Sequence, residues 1–317
     1  MGIAISNLSQ RKLSSKPTAI DLGGVPDIYI FGEGSGRRYK YFYGAISDPC
    51  NVKTITCPKT RPEKAATKEL LATHSLESSA LKLKAFASES SGDESGILRI
   101  FIDVSCLSRP MIATLFAAIR SIVETRSVQL NVGYSLASYA SSPSIWARPN
   151  RSICPVHPSF SGWSIEGPNS PLDIVVGLGY EKGKALGAVE YLEPRYRWVF
   201  VPESTQAEYL VEVEKHNKEL ITANQNRVSH YQVLSPVDTY FALRSLVQGM
   251  ARDSRPVLLP FGPKIFFALN LLVALTIEEA AVWHVDGEND EYGDRQPSRE
   301  SVVFSCNIQV TDQFKLD

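Results

Sequence analysis

The strongest hydrophobic pattern in the chain is Val257-Leu258-Leu259-Pro260, followed by Phe261-Gly262-Pro263-Lys264 and an apolar stretch over residues 265–275. A short unbroken apolar run closed by a Gly/Pro turn reads as a strand buried on both faces. The stretch after it contains Asn270 and reads as a core helix, too short to cross a bilayer. The same strand, turn and helix rhythm recurs upstream. Residues 97–104 predict a core strand, residues 111–123 an amphipathic helix and residues 128–132 the next strand. Residues 172–176, 197–201 and 228–233 predict further strands, with helices over 185–192, 206–223 and 236–250. Residues 280–285 predict a last parallel strand, and residues 301–310 an antiparallel edge strand.

Strand and helix alternation from 97 to 286 predicts one open sheet covered on both faces, with right-handed crossovers. The expected fold is α/β: a doubly wound, mostly parallel Rossmann-like sheet with an N-terminal β-hairpin and helix extension. Residues 1–96 form that extension and residues 97–317 the Rossmann-like domain. Within the extension, residues 1–26 are polar and read as a loosely held arm. Residues 27–31, 39–46 and 52–56 are β-prone. Thr60-Arg61-Pro62-Glu63 resembles a capping box opening a helix that runs to about residue 86. Residues 135–171 read as loop, and a loop that long is either functional or a misread element.

Composition narrows the class only slightly. The 317 residues carry a formal net charge of −1, which gives no bulk case for binding DNA or an anionic membrane. The five cysteines are scattered and odd in number, as expected of reduced thiols in a cytoplasmic protein. None has zinc-site spacing. No charged segment followed by a long apolar run marks a signal peptide. No metal, cofactor or Ser-His-Asp arrangement is expected, and His284, Asp286 and Glu288 read either as metal ligands or as an ordinary strand end.

In open α/β sheets, ligands gather beyond the carboxyl ends of the strands. Three strand-to-helix junctions are therefore the candidate chemistry, expected along one sheet edge. The first offers Asp103, Ser105, Ser108 and Arg109. The serines serve as helix caps or, with the arginine fork, meet ligand phosphate. The second offers Gly177, Gly179, Glu181, Gly183 and Lys184, with Glu203 ending the next strand. That glycine pattern follows a strand and precedes a helix, but it lacks the spacing of a dinucleotide fingerprint and the hydroxyl of a P-loop. It reads as a tight turn, a phosphate cradle or an NAD(P) site. The third offers Gly262 and Lys264 at a helix mouth, where the dipole disfavours a lysine but favours an anion beside it. The basic Gly-rich turn at residues 32–38 reads as a hairpin turn or an anion cradle.

Asp103-x-Ser105 at a strand end, with Phe261-Gly262-Pro263-Lys264 after a later strand, resembles the two ligand loops of CARF-type Rossmann-like sensor domains. The likeness covers roughly residues 97–286 and lies in pattern and order. The family's second loop is Gly-Gly-Thr-Lys-like; Phe-Gly-Pro-Lys lacks one glycine and the threonine. The whole chain is also similar to uncharacterised bacterial antiphage-defence-associated proteins. The resemblance implies a homodimer or a protein complex that binds a nucleotide or cyclic oligonucleotide in a prokaryotic antiviral defence system, without catalysis. Asp103, Ser105, Arg109, Gly177, Gly179, Glu181, Lys184, Gly262 and Lys264 would line the site. Two alternatives stand beside it. One is a nucleotide- or sugar-phosphate-processing enzyme using Asp103, Glu181 or Glu203 as acid or base. The other is a structural partner in a larger complex.

Overall fold

The computed structural model describes residues 2–34, 38, 40–46, 49–58, 65–90, 96–140, 150–162, 170–287 and 296–311. In chain order the strands are β1 (Gly2–Leu13), β2 (Ile28–Gly32), β3 (Lys53–Cys57), β4 (Leu98–Asp103), β5 (Val128–Ala137), β6 (Asn150–Pro155), β7 (Leu172–Gly177), β8 (Tyr196–Glu203), β9 (Val228–Gln232), β10 (Arg255–Pro260), β11 (Ala281–Gly287) and β12 (Pro297–Thr311). The helices are α1 (Ala65–Glu89), α2 (Arg109–Val123), α3 (Lys184–Leu192), α4 (Ala207–His216), α5 (Lys218–Ala223), α6 (Pro236–Met250) and α7 (Lys264–Thr276). The protein is α/β and mostly parallel, as the alternation predicts.

The chain forms two compact units rather than one sheet. Met1–Ala137 and Tyr292–Asp317 make the first; Ser138–Glu291 makes the second, which in sequence is an insertion between β5 and β12. The first unit holds a six-stranded sheet of order β1-β12-β5-β4-β2-β3 and the second one of order β6-β11-β10-β7-β8-β9. Strand-helix alternation shows that crossovers exist; it does not show whether the next strand joins the same sheet, which is why residues 97–286 read as continuous.

In the first unit β5, β4, β2 and β3 run parallel, while β12 is antiparallel to β5 and to β1. The expected hairpin is thus a parallel pair, which the long connection between β2 and β3 allows. The expected arm is β1, held by β12, and β12 is interior to the sheet. Helices α1 and α2 lie against the sheet through β2, β3, β5 and β12. The other face buries Leu22, Tyr29, Phe31, Phe42, Ala45, Ile46, Val52, Phe101 and Val303. Residues 41–46, expected as strand, are turn and 3-10 backbone. Covering an aromatic sheet face with Phe42 outweighs their β-propensity. The capping-box tetrapeptide lies outside the described residues.

The second unit is doubly wound. One face of its sheet buries Ile174, Val176, Val199, Val201, Val257 and Leu259 under Ala185, Ala188 and Val189 of α3, Val213 of α4 and Leu220 of α5. The other carries α6 and α7, where Phe266 stacks on Tyr231 at 4.7 Å and tilts against Phe200 at 5.7 Å. Part of the stretch read as loop is β6, an antiparallel edge strand on β11. In each unit the strands that lead into and out of the joining segments are paired: Ala137 opposes Pro297, and Asn150 opposes Gly287.

Candidate functional site

Each sheet reverses its strand order once. In the first unit β3 and β4 lie on opposite sides of β2; in the second β8 and β10 lie on opposite sides of β7. Loops on either side of such a reversal splay to opposite faces and leave the crevice where α/β sheets take ligands. The three predicted junctions fall at these two places and not along one edge. Asp103, Ser105 and Arg109 belong to the β2/β4 reversal of the first unit. Gly177, Gly179, Glu181, Lys184, Gly262 and Lys264 belong to the β7/β10 reversal of the second.

In the first unit Asp103 and Ser105 are buried, and the Ser105 amide donates to Asp103 Oδ1 at 2.9 Å. Ser105 Oγ accepts from the Ser135 amide at 2.9 Å, which ties the loop to β5. Ser108 is the N-cap of α2, its hydroxyl accepting from the Met111 amide at 3.3 Å, and Arg109 is the first helical residue. Sequence reasoning did not single out four further members. Tyr29 on β2 is buried, and burial pushes its phenol well above the ordinary range, with Asp103, Tyr43 and Cys106 adding to the shift. Its hydroxyl, and those of Ser135 and Ser301, are buried without a hydrogen-bond partner among the described residues. The Arg38 guanidinium donates to the Ser135 carbonyl from Nε at 3.2 Å and from an Nη at 2.6 Å. The only signal for Arg38 was its place in the basic Gly-rich turn. Of that turn, residues 35–37 lie outside the described residues.

In the second unit the two turns press together. A Cβ on Gly262 would lie 2.7 Å from the Leu178 carbonyl oxygen, and one on Gly179 would lie 2.9 Å from the Phe261 carbonyl oxygen. A Cβ on Gly177 would enter the Phe266 ring. Backbone meets backbone across the reversal, and the glycines are there for that approach. The Phe261 amide donates to the Gly177 carbonyl at 2.8 Å, and the Asn217 side-chain amide donates to the Gly179 carbonyl at 2.8 Å and the Val213 carbonyl at 2.8 Å. Turning that amide toward the β7 turn interrupts the helix expected over 206–223, giving α4 and α5.

The charged members flank this contact. Lys184, at the first position of α3, pairs with Glu181 at 3.1 Å, both largely buried. Lys264 is the first residue of α7, whose N-cap is Pro263 and has no side-chain cap. Farther along the same strand ends, Glu203 meets His230 Nδ1 at 2.9 Å and accepts from the Gln232 amide at 2.5 Å. Lys184 and Lys264 therefore stand at the mouths of the two helices that follow β7 and β10, where unsatisfied amides favour an anion. Among the described residues no group of three or more His, Cys, Asp or Glu side chains could hold a metal ion, and no helix is long and apolar enough to cross a membrane. Of His284, Asp286 and Glu288, read either as metal ligands or as a strand end, the Asp286 side chain and Glu288 lie outside the described residues.

Fold and sites together define a tandem of two α/β units, each with a single reversal and the second inserted in the first. No protein-family model matches the chain, and no curated protein matches it by sequence.

Proposed function

We propose that the protein is a non-catalytic nucleotide-sensing or assembly subunit of a prokaryotic antiphage defence system, and that its second unit receives an anionic, nucleotide-like ligand. One observation supports this reading above the others. The strand order β9-β8-β7-β10-β11 sets the turns at 177–184 and 260–264 beside each other at the one reversal of that sheet, with a lysine at each following helix mouth. The ligand's phosphate meets the amides opening α7, with Lys264 and Lys184 beside them. The defence setting rests on the resemblance of the Asp-x-Ser and Gly-x-Lys junctions. The test is a thermal-shift panel of mononucleotides, dinucleotides and cyclic oligonucleotides. At least one is expected to raise the melting temperature of the wild type and not of Lys264→Ala. A flat panel for both proteins would sink the proposal.

The Glu203–His230 contact favours one second reading, a nucleotide- or sugar-phosphate-processing enzyme in which the pair moves a proton at the same sheet edge. Turnover of any panel compound that Glu203→Gln abolishes would replace the sensor reading with this one.

A further inference from the structure

The outer strands of the two sheets are β1, β3, β6 and β9. A free strand edge is a template for pairing with another chain, and proteins blunt it with shortness, charge, proline or a bulge. β3, β6 and β9 are short, at five or six residues. β1 has 12 residues, and its two halves differ. The second half is guarded. Arg11 and Lys12 are exposed, and the register against β12 shifts between Ser6 and Ser9, where Asn7 sits at φ 51°. The first half, Gly2-Ile3-Ala4-Ile5-Ser6, has no charge, no proline and no shift in register.

That first half pairs with β12 on one side, Gly2 to Ser6 opposing Thr311 to Asn307. In an antiparallel pair every second residue turns its N–H and C=O away from the partner strand. Among the described residues no strand takes those groups on the outer side of β1. The side chains also stop short. Ile5 opposes Ile308, which opposes Val128 in turn, so the three form one apolar row across the sheet. Val128 and Ile308 are fully buried, whereas Ile5, at the end of the row, is half-buried. Ile3 ends a second row, opposite Val310, and is half-buried too.

We infer that this half-strand pairs with the same half-strand of a second copy, antiparallel about a two-fold axis at Ala4, and joins two six-stranded sheets into one. In that register Ile3 meets Ile5 of the second copy, Gly2 meets Ser6 and Ala4 meets its own equivalent. Each apolar row then continues through the junction, from Val128, Ile308 and Ile5 into Ile3 and Val310 of the second copy. The charges select this pairing. Arg11 and Lys12 of both copies lie beyond the overlap, on opposite sides of the axis. Overlapping the whole strands would instead set Lys12 against Ile3 and Arg11 against Ala4, across the shifts at Asn7. A foreign strand would need isoleucines in the same two places, which the chain itself supplies. Five paired residues make an interface below about 1,200 Å², the range of weak, reversible association. The contact is independent of the β7/β10 reversal.

Sedimentation equilibrium of the full chain, with nothing fused before Met1, tests it. Over about 1 to 300 μM the weight-average mass should climb from that of one chain toward that of two. Ile3→Glu and Ile5→Lys should each weaken association about tenfold or more, because each sets a charge against isoleucine in both rows. An equimolar mixture of the two variants should recover most of the loss. One carboxylate then faces one ammonium across the axis, and the other row keeps isoleucine against isoleucine. That recovery also excludes misfolding as the cause of the loss. Lys264→Ala should leave the dimer intact, so a flat nucleotide panel and a failure to dimerise are separate results. A single-chain mass throughout the concentration range would overturn the inference. So would a dimer indifferent to both variants, or two weakened variants whose mixture recovers nothing, either of which would place the contact elsewhere.

Discussion

In the first unit the chain runs from β2 out to β3 and returns past β2 to β4; in the second it runs from β7 through β8 to β9 and returns past β7 to β10. The two units close their reversals by the same means. A Cβ on Gly32 would lie 2.7 Å from the Cys106 carbonyl oxygen, just as one on Gly262 would meet that of Leu178. They differ in what covers the sheet. The second unit has helices on both faces, whereas one face of the first is covered by turns carrying Phe42, Ala45 and Ile46. A helix satisfies its own backbone and needs only an apolar stripe. An irregular cover must be held by side chains, here the stacked Tyr29 and Phe101 rings at 5.3 Å with Phe42 tilted against Phe101 at 5.5 Å. The teaching is that one topology tolerates either covering, but the irregular one concentrates stability in a few aromatic residues.

All four tryptophans lie within the second unit, so tryptophan fluorescence reports it alone while circular dichroism reports both. Phe101→Ala should cost the first unit about 3–5 kcal/mol. An early dichroism transition should then separate from an unmoved fluorescence midpoint in urea. Coincident shifts by both probes would break the comparison. The next effect is alkaline. Burial raises the Cys57 thiol to about 11, and burial raises Cys306 and Tyr29 as well, all three in the first unit. Unfolded thiols ionise near about 8.5 and the phenol near about 10. Above those values the unfolded chain has shed protons that the folded one keeps, so stability falls as pH rises. The slope approaches about 1.4 kcal/mol per pH unit for each group until its folded value is reached. Cys306→Ala should flatten the dichroism-monitored slope and leave the fluorescence-monitored one alone.

Gly262→Ala sharpens the comparison from the other side. Its Cβ meets carbonyl oxygen, which cannot rotate away, and should cost the second unit about 1–3 kcal/mol. The loss should be read by fluorescence, and an unchanged midpoint would show that the turns separate easily. The smallest expected effect is Ser108→Ala, which removes the α2 cap from the first unit for about 1 kcal/mol. Differential scanning calorimetry at neutral pH should place that loss in the first unit's transition.

Much of the fold was legible because buried parallel strands announce themselves locally. The run at 257–260 and the strand at 98–103 both end where their hydrophobicity ends. The division into two sheets was not legible, since whether β7 pairs with β5 or with β10 depends on residues far away in the chain. β1 was missed because the polar residues of Gly2–Leu13 hide a strand whose pairing is supplied by β12, about 300 residues later. The site was half legible. Junction glycines and lysines were visible as punctuation, but their separation between the β2/β4 and β7/β10 reversals was not. Nor were the parts played by Tyr29 and Arg38, which only the fold brings to Asp103 and Ser135.

The place of the second unit in the sequence also sets the order in which the chain completes itself. During synthesis β1 to β5 emerge first, yet β12, which alone joins β1 to β5, emerges after the whole of Ser138–Glu291. At ribosomal rates that interval is on the order of ten seconds, ample for the inserted unit to close around its own Asn150–Gly287 pair. The first unit is begun first and finished last. Until β12 arrives, β5 offers an open edge and β1 has nothing to hold it, so the newborn chain's exposure to aggregation and to chaperones is concentrated there.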